Sequence, residues 1–241
     1  MANYILRVPE LSLQSDTKVW ASRQVLTNNL LRTYKSYKPY IDAVAKDNNI
    51  PIQIILGFII VESMGRKNVT SGGGTVIGLM QWTVSQANGV LKNEYIKGRF
   101  SENELSVLKK YGFVFDKNGN TKKMTVELGL KPELNILIGA IWLGQIIDGV
   151  QNTTTGWAVE KDNTLRIDKI ISAYNGGSNS KQAIVGMTSR YGGKDVDTST
   201  IANYYNVVKK INIVSASYIS KFLGKDGAMD ILTSDLAYLF K

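Results

Sequence analysis

A chain of 241 residues with 44% hydrophobic content is long enough to bury a sizeable core and is ordinary for a globular protein. It contains no histidine and no cysteine; this excludes Ser-His-Asp and Cys-His triads, imidazole and thiolate metal sites and disulfides, and leaves acid–base chemistry to carboxylates, lysines and tyrosines. Its 29 basic residues against 20 acidic ones give a formal net charge of +9, which implies an anionic partner: nucleic acid, a membrane surface or a cell wall carrying acidic polymers.

Residues 1–30 show no clear period and read as an arm of short elements. The opening MANYILRVPELSLQSD lacks a basic region followed by a sustained apolar run, so it is not read as a secretory signal. From Leu31 to Asn48 the pattern is helical, with Leu31, Tyr34, Tyr37, Ile41, Val44 and Ala45 on one face. Pro51 then suits the first position of a second helix. Ile52, Ile54, Ile55, Phe58, Ile59 and Val61 cover more than one of its faces, which predicts burial. The run is too short for a membrane span and is broken by Gln53. It ends in a carboxylic acid, Glu62, followed by Ser63 and by Gly65 as a stop signal. Apolar neighbours and the negative end of the helix dipole both disfavour an ionised Glu62 and are expected to raise its pKa, as a general acid requires. A solvated Glu on the last turn is the competing reading.

A Gly-rich loop, Ser71 to Thr75, leads to Gly78-Leu79-Met80-Gln81 and Trp82-Thr83. No Gly-Lys-Ser/Thr follows the glycines, so a phosphate cradle is a poor reading. Val84, Val90, Leu91, Tyr95 and Ile96 suggest short helices, and Ser101 with Glu104 forms a capping-box signature for a helix to Leu108. Between Tyr111 and Leu130, Phe113 and Phe115 precede Asn118-Gly119 while Met124, Val126 and Leu128 follow it, which predicts a β-hairpin. Asp116, Asn118, Asn120 and Glu127 also fall at calcium-loop spacing, but Thr121 replaces the turn glycine and Lys122 and Lys123 oppose a cation. The hairpin is favoured, and no metal or cofactor is expected.

Pro132 to Gly149 is an apolar helix, expected to be central and to pack against Pro51–Met64. Gln151–Thr155 reads as a loop. Leu165 to Tyr174 reads as a helix with Ile167, Ile170, Ile171 and Ala173 inward, ending near Asn175-Gly176-Gly177. Tyr204 to Ile213 closes the core, and the apolar tail 216–241 reads as two short helices. The domain reading is therefore 1–45 for the arm and first helix, 46–215 for the core and 216–241 for the tail.

Glu62-Ser63, then Gly78-Leu79-Met80-Gln81, then Ala173-Tyr174-Asn175-x-Gly177, in that order, resemble the lytic transglycosylase (SLT) family of the lysozyme-like superfamily. Pro132-Glu133-Leu134-Asn135-Ile136 with Gly139, Ala140 and Leu143 is similar to the family segment between the last two motifs. Asn203-Tyr204 with Val208 resembles its closing helix. The likeness runs over roughly residues 45–210; the interval from Glu62 to Gln81 is about one residue longer than in the family, with the extra residue in the Gly72–Thr75 loop.

The resemblance implies a mainly α, lysozyme-like (goose-type lysozyme/SLT) helical domain with a small β-hairpin. It implies cleavage of the β-1,4 bond between N-acetylmuramic acid and N-acetylglucosamine in peptidoglycan, with Glu62 as the single acid and base. The sugar's own C6 hydroxyl would then attack and leave a 1,6-anhydromuramic end. It assigns Tyr174 to orienting Glu62, and Ser71, Met80, Gln81 and Asn175 to the substrate site, although Met80 is equally readable as core. An export route without a leader fits a phage-encoded or injected lysin, virion-associated or released, acting at the bacterial cell wall. A hydrolytic lysozyme of the same superfamily and a non-catalytic wall-binding or virion structural protein remain alternatives. A nucleic-acid binder is disfavoured, because the basic residues are scattered in pairs such as Lys109-Lys110 and Lys209-Lys210. A monomer is presumed.

Overall fold

Leu26, Leu30, Tyr34, Ile41 and Val44 recur at helical spacing and are all buried along α1 (Arg23–Asp47). The helix thus begins well inside the stretch expected to be an arm. In this computed structural model the described residues are 4–6, 20–148, 158–176, 200–211 and 213–240. They fall into two compact units, one of residues 28–142 and one joining 1–27 to 143–241. The connector 151–155 and Gly177 lie outside the described residues. Among those described, no helix is long and apolar enough to cross a membrane.

The unit of residues 28–142 contains α2 (Ile52–Ser63), in which every residue from Ile54 to Val61 is buried. Pro51 stands one position earlier than expected, as the N-cap, with its carbonyl accepting from the Ile54 N–H at 2.9 Å. A small antiparallel sheet follows in the order β1 (Thr70–Ser71), β2 (Val76–Ile77), β3 (Trp82–Thr83). Thr70 pairs with Ile77, and Ile77 in turn with Trp82. The segment expected to hold short helices is one helix, α3 (Val84–Ile96), started by a Thr83/Gln86 capping box. The predicted Ser101/Glu104 box is present at α4 (Glu102–Lys110). Glu104 is buried there; its two oxygens accept from Asn48 and from the Ser101 N–H at 2.9 Å each.

The hairpin expected at residues 111–130 is not a hairpin, and the sheet sits at 70–83 instead. Residues 114–116 and 120–125 carry no strand, and α5 (Val126–Gly129) replaces the second arm. The Asp116 carboxylate accepts from the N–H groups of Asn118 and Asn120 and from the Asn120 side chain, between 2.8 and 2.9 Å. Such local bonding competes with a strand ladder. The apolar residues find partners on α3 instead of across a turn: Phe115 stacks on Tyr95 at 4.5 Å, and the Met124 N–H donates to Asn88 at 2.9 Å. With its oxygens committed to amides, chiefly the Asn120 side chain, Asp116 is held below the usual carboxylate range. Among the described residues no group of three acidic side chains is placed to hold a metal.

α6 (Pro132–Ile147) opens near Glu133, whose carboxylate accepts from Tyr111 at 2.8 Å and pairs with Lys110 at 2.6 Å. Burial, and then this carboxylate, push the Tyr111 hydroxyl up to about 12.

In the other unit, α7 (Ile167–Gly176), α8 (Ile201–Ile211), α9 (Ile213–Leu223) and α10 (Ala228–Thr233) gather around α9, which touches the other three. The buried Asp168 takes a two-pronged ion pair from Arg166, at 3.1 and 2.8 Å, which fixes the first turn of α7. A strand-like bridge joins Ile5 to Thr164.

Arg23, at the start of α1, reaches Asp226, Asp230 and Asp235, each at 2.8 Å. The Arg23 hydrogen bond is the main cause that holds Asp235 below the ordinary carboxylate range. A carboxylate with a depressed folded pKa contributes stability above its unfolded value, and that contribution fades as pH falls through the folded one. Arg23→Ala is therefore expected to cost about 1 kcal/mol near neutral pH, since the group is partly exposed, and less toward acid. Denaturant midpoints across pH check this; a cost that grows on acidification would contradict it.

Candidate functional site

Glu62 is half-buried on the last turn of α2, between buried Val61 and Ser63. The helix ends because Met64, one residue before the expected glycine, turns into the left-handed region (φ 55°) with its N–H still bonded to the Ile60 carbonyl. Ser63 is turned inward: its hydroxyl donates to the Ile59 carbonyl at 2.9 Å, so it belongs to the helix and not to a ligand site. Sequence order thus places one carboxylate at the exit of a helix that is otherwise inside the core.

The chain then runs through the sheet to Gln81, which adopts a left-handed backbone (φ 47°). Its side-chain N–H₂ donates to the carbonyls of Gly78, at 2.7 Å, and Val69, at 3.1 Å. Its carbonyl oxygen accepts from the exposed Ser71 hydroxyl at 2.9 Å. The structure therefore brings Ser71 and Gln81 together, with Gln81 stapling the loop shut. Both Gln81 donors are consumed, as is the Ser71 proton. What the pair has left is acceptor capacity, in the remaining lone pairs of the two oxygens.

Of the two readings of Met80, the structure favours core. Met80 is fully buried, and a Cβ placed on Gly139 of α6 would lie 2.3 Å from its sulfur. Gly139 is thus the floor on which Met80 rests, and Met80 holds the loop from beneath. A residue buried in this way cannot line an open cleft.

Asn135 of α6 does most to hold this loop. Its carbonyl Oδ1 accepts from the Met80 N–H at 2.8 Å, and its Nδ2 donates to Gly129 at 2.8 Å and to Ile77 at 3.1 Å. Its backbone carbonyl accepts the Trp82 indole N–H at 3.0 Å. The approach is close enough that a Cβ on Gly78 (φ 80°) would meet the Asn135 amide nitrogen at 2.1 Å. Nothing singled out this role in the sequence beyond the motif. The available signal is an amide inside an apolar helix, a feature shared with Gln145, since a buried amide must find partners.

Tyr174 and Asn175 are on α7, in the other unit. Tyr174 is buried, and Asn175 accepts from the Ser215 hydroxyl of α9 at 3.3 Å. Asp168, a buried carboxylate on the same helix, is locked to Arg166 and is structural.

Residues 39–105 match the family model of the Transglycosylase SLT domain. The resemblance to the lytic transglycosylase family is shown there. The matched SLT segment contains Glu62, Ser71, Met80 and Gln81, runs from the end of α1 into α4, and carries the lysozyme-like character of the mainly helical fold. Asn135, Tyr174 and Asn175 lie beyond it. Among curated proteins the chain has no match. An SLT segment supports a transglycosylase-like function directed at peptidoglycan, and so at the cell wall.

Proposed function

We propose that the protein is a lytic transglycosylase that cuts the β-1,4 bond between N-acetylmuramic acid and N-acetylglucosamine, with Glu62 as the only acid and base. The observation that carries this reading is a half-buried carboxylate at the end of a core helix, inside the SLT segment. Glu62 gives its proton to the bridging oxygen as the C1–O4 bond breaks. Its carboxylate then takes the proton of the C6 hydroxyl as O6 bonds to C1, which regenerates the acid and leaves a 1,6-anhydro end. No water is consumed. The Ser71–Gln81 pair serves as an acceptor for an N–H or O–H of the sugar, Met80 supports that pair from the core, and Tyr174 and Asn175 contribute to positioning. We place the enzyme in a phage particle or lysis programme, acting at the wall as a monomer.

Mass spectrometry of digested peptidoglycan tests the reading: muropeptides ending in the anhydro sugar are one water lighter than hydrolysis products. Reducing ends alone would replace the transglycosylase by a lysozyme. The net charge of +9 leads to a second expectation: wall cleavage should weaken steadily as salt rises, because screening shortens the reach of the attraction. Turbidity clearing at constant rate from low to high salt would remove charge from the account.

A further inference from the structure

We propose that a groove between α8 and α9 binds a phosphate group of an anionic wall polymer, a polyol- or sugar-phosphate chain. The groove holds about 290 Å³ and is lined by Tyr205, Lys209, Ala216, Ser217, Ser220 and Lys221, with Ile213 at its edge. Among the described residues, two ammonium groups and the hydroxyl-bearing Ser217, Ser220 and Tyr205 line it, and no carboxylate does. Its floor is apolar, since Ala216 and Tyr205 are buried.

Lys221 is set by its surroundings: its ammonium lies 5.5 Å from the centre of the Trp20 ring and 5.1 Å from that of Tyr218. The ring faces steady a cation without neutralising it. Point charges with rotatable donors, joined by hydroxyls, suit a tetrahedral oxyanion better than the planar fork that arginine offers a carboxylate. The apolar floor suits the carbon body of a polyol or sugar. Nucleic acid fits less well, because the one aromatic ring in the lining, Tyr205, is only 6% exposed and offers no base a stacking face. A lipid surface finds only Ile213 and Val214 as adjacent exposed apolar residues on α9, beside exposed Ser217. The choice of a wall polymer rests on the function proposed above, whereas the binding measurement does not.

The test measures binding of the full chain to purified walls carrying the phosphate polymer and to the same walls stripped of it. Lys209→Gln/Lys221→Gln removes the two groove charges, and Lys117→Gln/Lys123→Gln removes two exposed charges elsewhere. Ser217→Asp, at an exposed position, sets a carboxylate in the groove one helical turn before Lys221, where it competes with phosphate for that ammonium. Both groove variants are expected to weaken binding to polymer-bearing walls by about tenfold or more, as loss of charge-assisted hydrogen bonds does. The control should stay within about twofold, as surface charges contribute little. On stripped walls all four proteins should bind alike, and cleavage of soluble glycan chains should be unchanged. Unaltered binding by both groove variants overturns the proposal. So does an equal loss in the control, an equal loss on stripped walls, or groove-dependent preference for anionic phospholipid vesicles. If the wild type binds through the groove yet cuts no glycan, the transglycosylase reading falls and the phosphate site stands.

Discussion

Glu62→Gln is expected to yield a folded protein that has lost glycan cleavage by at least about 10²–10⁴-fold, the usual worth of general acid–base help. The loss can exceed that range because one carboxyl serves both proton transfers. Glutamine keeps the size and the hydrogen-bonding character of the side chain, so the half-buried end of α2 should pack as before. The thermal midpoint and the far-ultraviolet spectrum should be close to those of the parent. Tyr174→Phe should be milder, since it removes a hydroxyl and no reacting proton. Glycan turnover by a well-folded Glu62→Gln protein at the parental rate would end the transglycosylase reading.

Asn135→Leu is expected to be the most destabilising single change in the unit of residues 28–142. Leucine fills a similar volume but leaves the Met80 N–H and the Gly129 and Ile77 carbonyls without their bonds. Each orphaned buried group costs about 1–3 kcal/mol, so the total for three should be roughly 3–9 kcal/mol. The loop ending at Gln81 is anchored by these bonds, so activity should fall along with stability. Urea unfolding measures the first and glycan turnover the second. A midpoint shift worth less than about 1 kcal/mol would show that the loop is held by packing alone, through Met80 on Gly139.

The helices were legible wherever period and caps agreed. α2 is declared by the apolar run from Ile54 to Val61, and α4 by Ser101 and Glu104. The start of α1 is hard to read although Leu26 and Leu30 continue the spacing of Tyr34, because polar residues between them blur the period. The sheet was invisible because its strands are two residues long, too short for alternation to register. Asn118-Gly119 marked a real turn, yet the Asp116 carboxylate satisfied it locally and no ladder grew. In the candidate site, Glu62 and Gln81 could be found from chemistry and motif order. That Gln81 spends both donors on the Gly78 and Val69 carbonyls could not, since it depends on a left-handed backbone at a residue other than glycine.

The pairing of Arg23 with Asp226, Asp230 and Asp235 also sets an order of events during synthesis. Residues 28–142 are contiguous and can close their own core while the rest of the chain is still being made. The unit that holds Arg23 must wait until its carboxylate partners, some two hundred positions later, have left the ribosome. The nascent chain should therefore gain protease resistance in two stages, the first over α2 to α4 and the second only after Asp235 emerges. A single late stage covering both units would refute that order. Until the second stage the apolar start of α1, Leu26 included, has no finished core to enter, so aggregation losses during expression should concentrate in that interval.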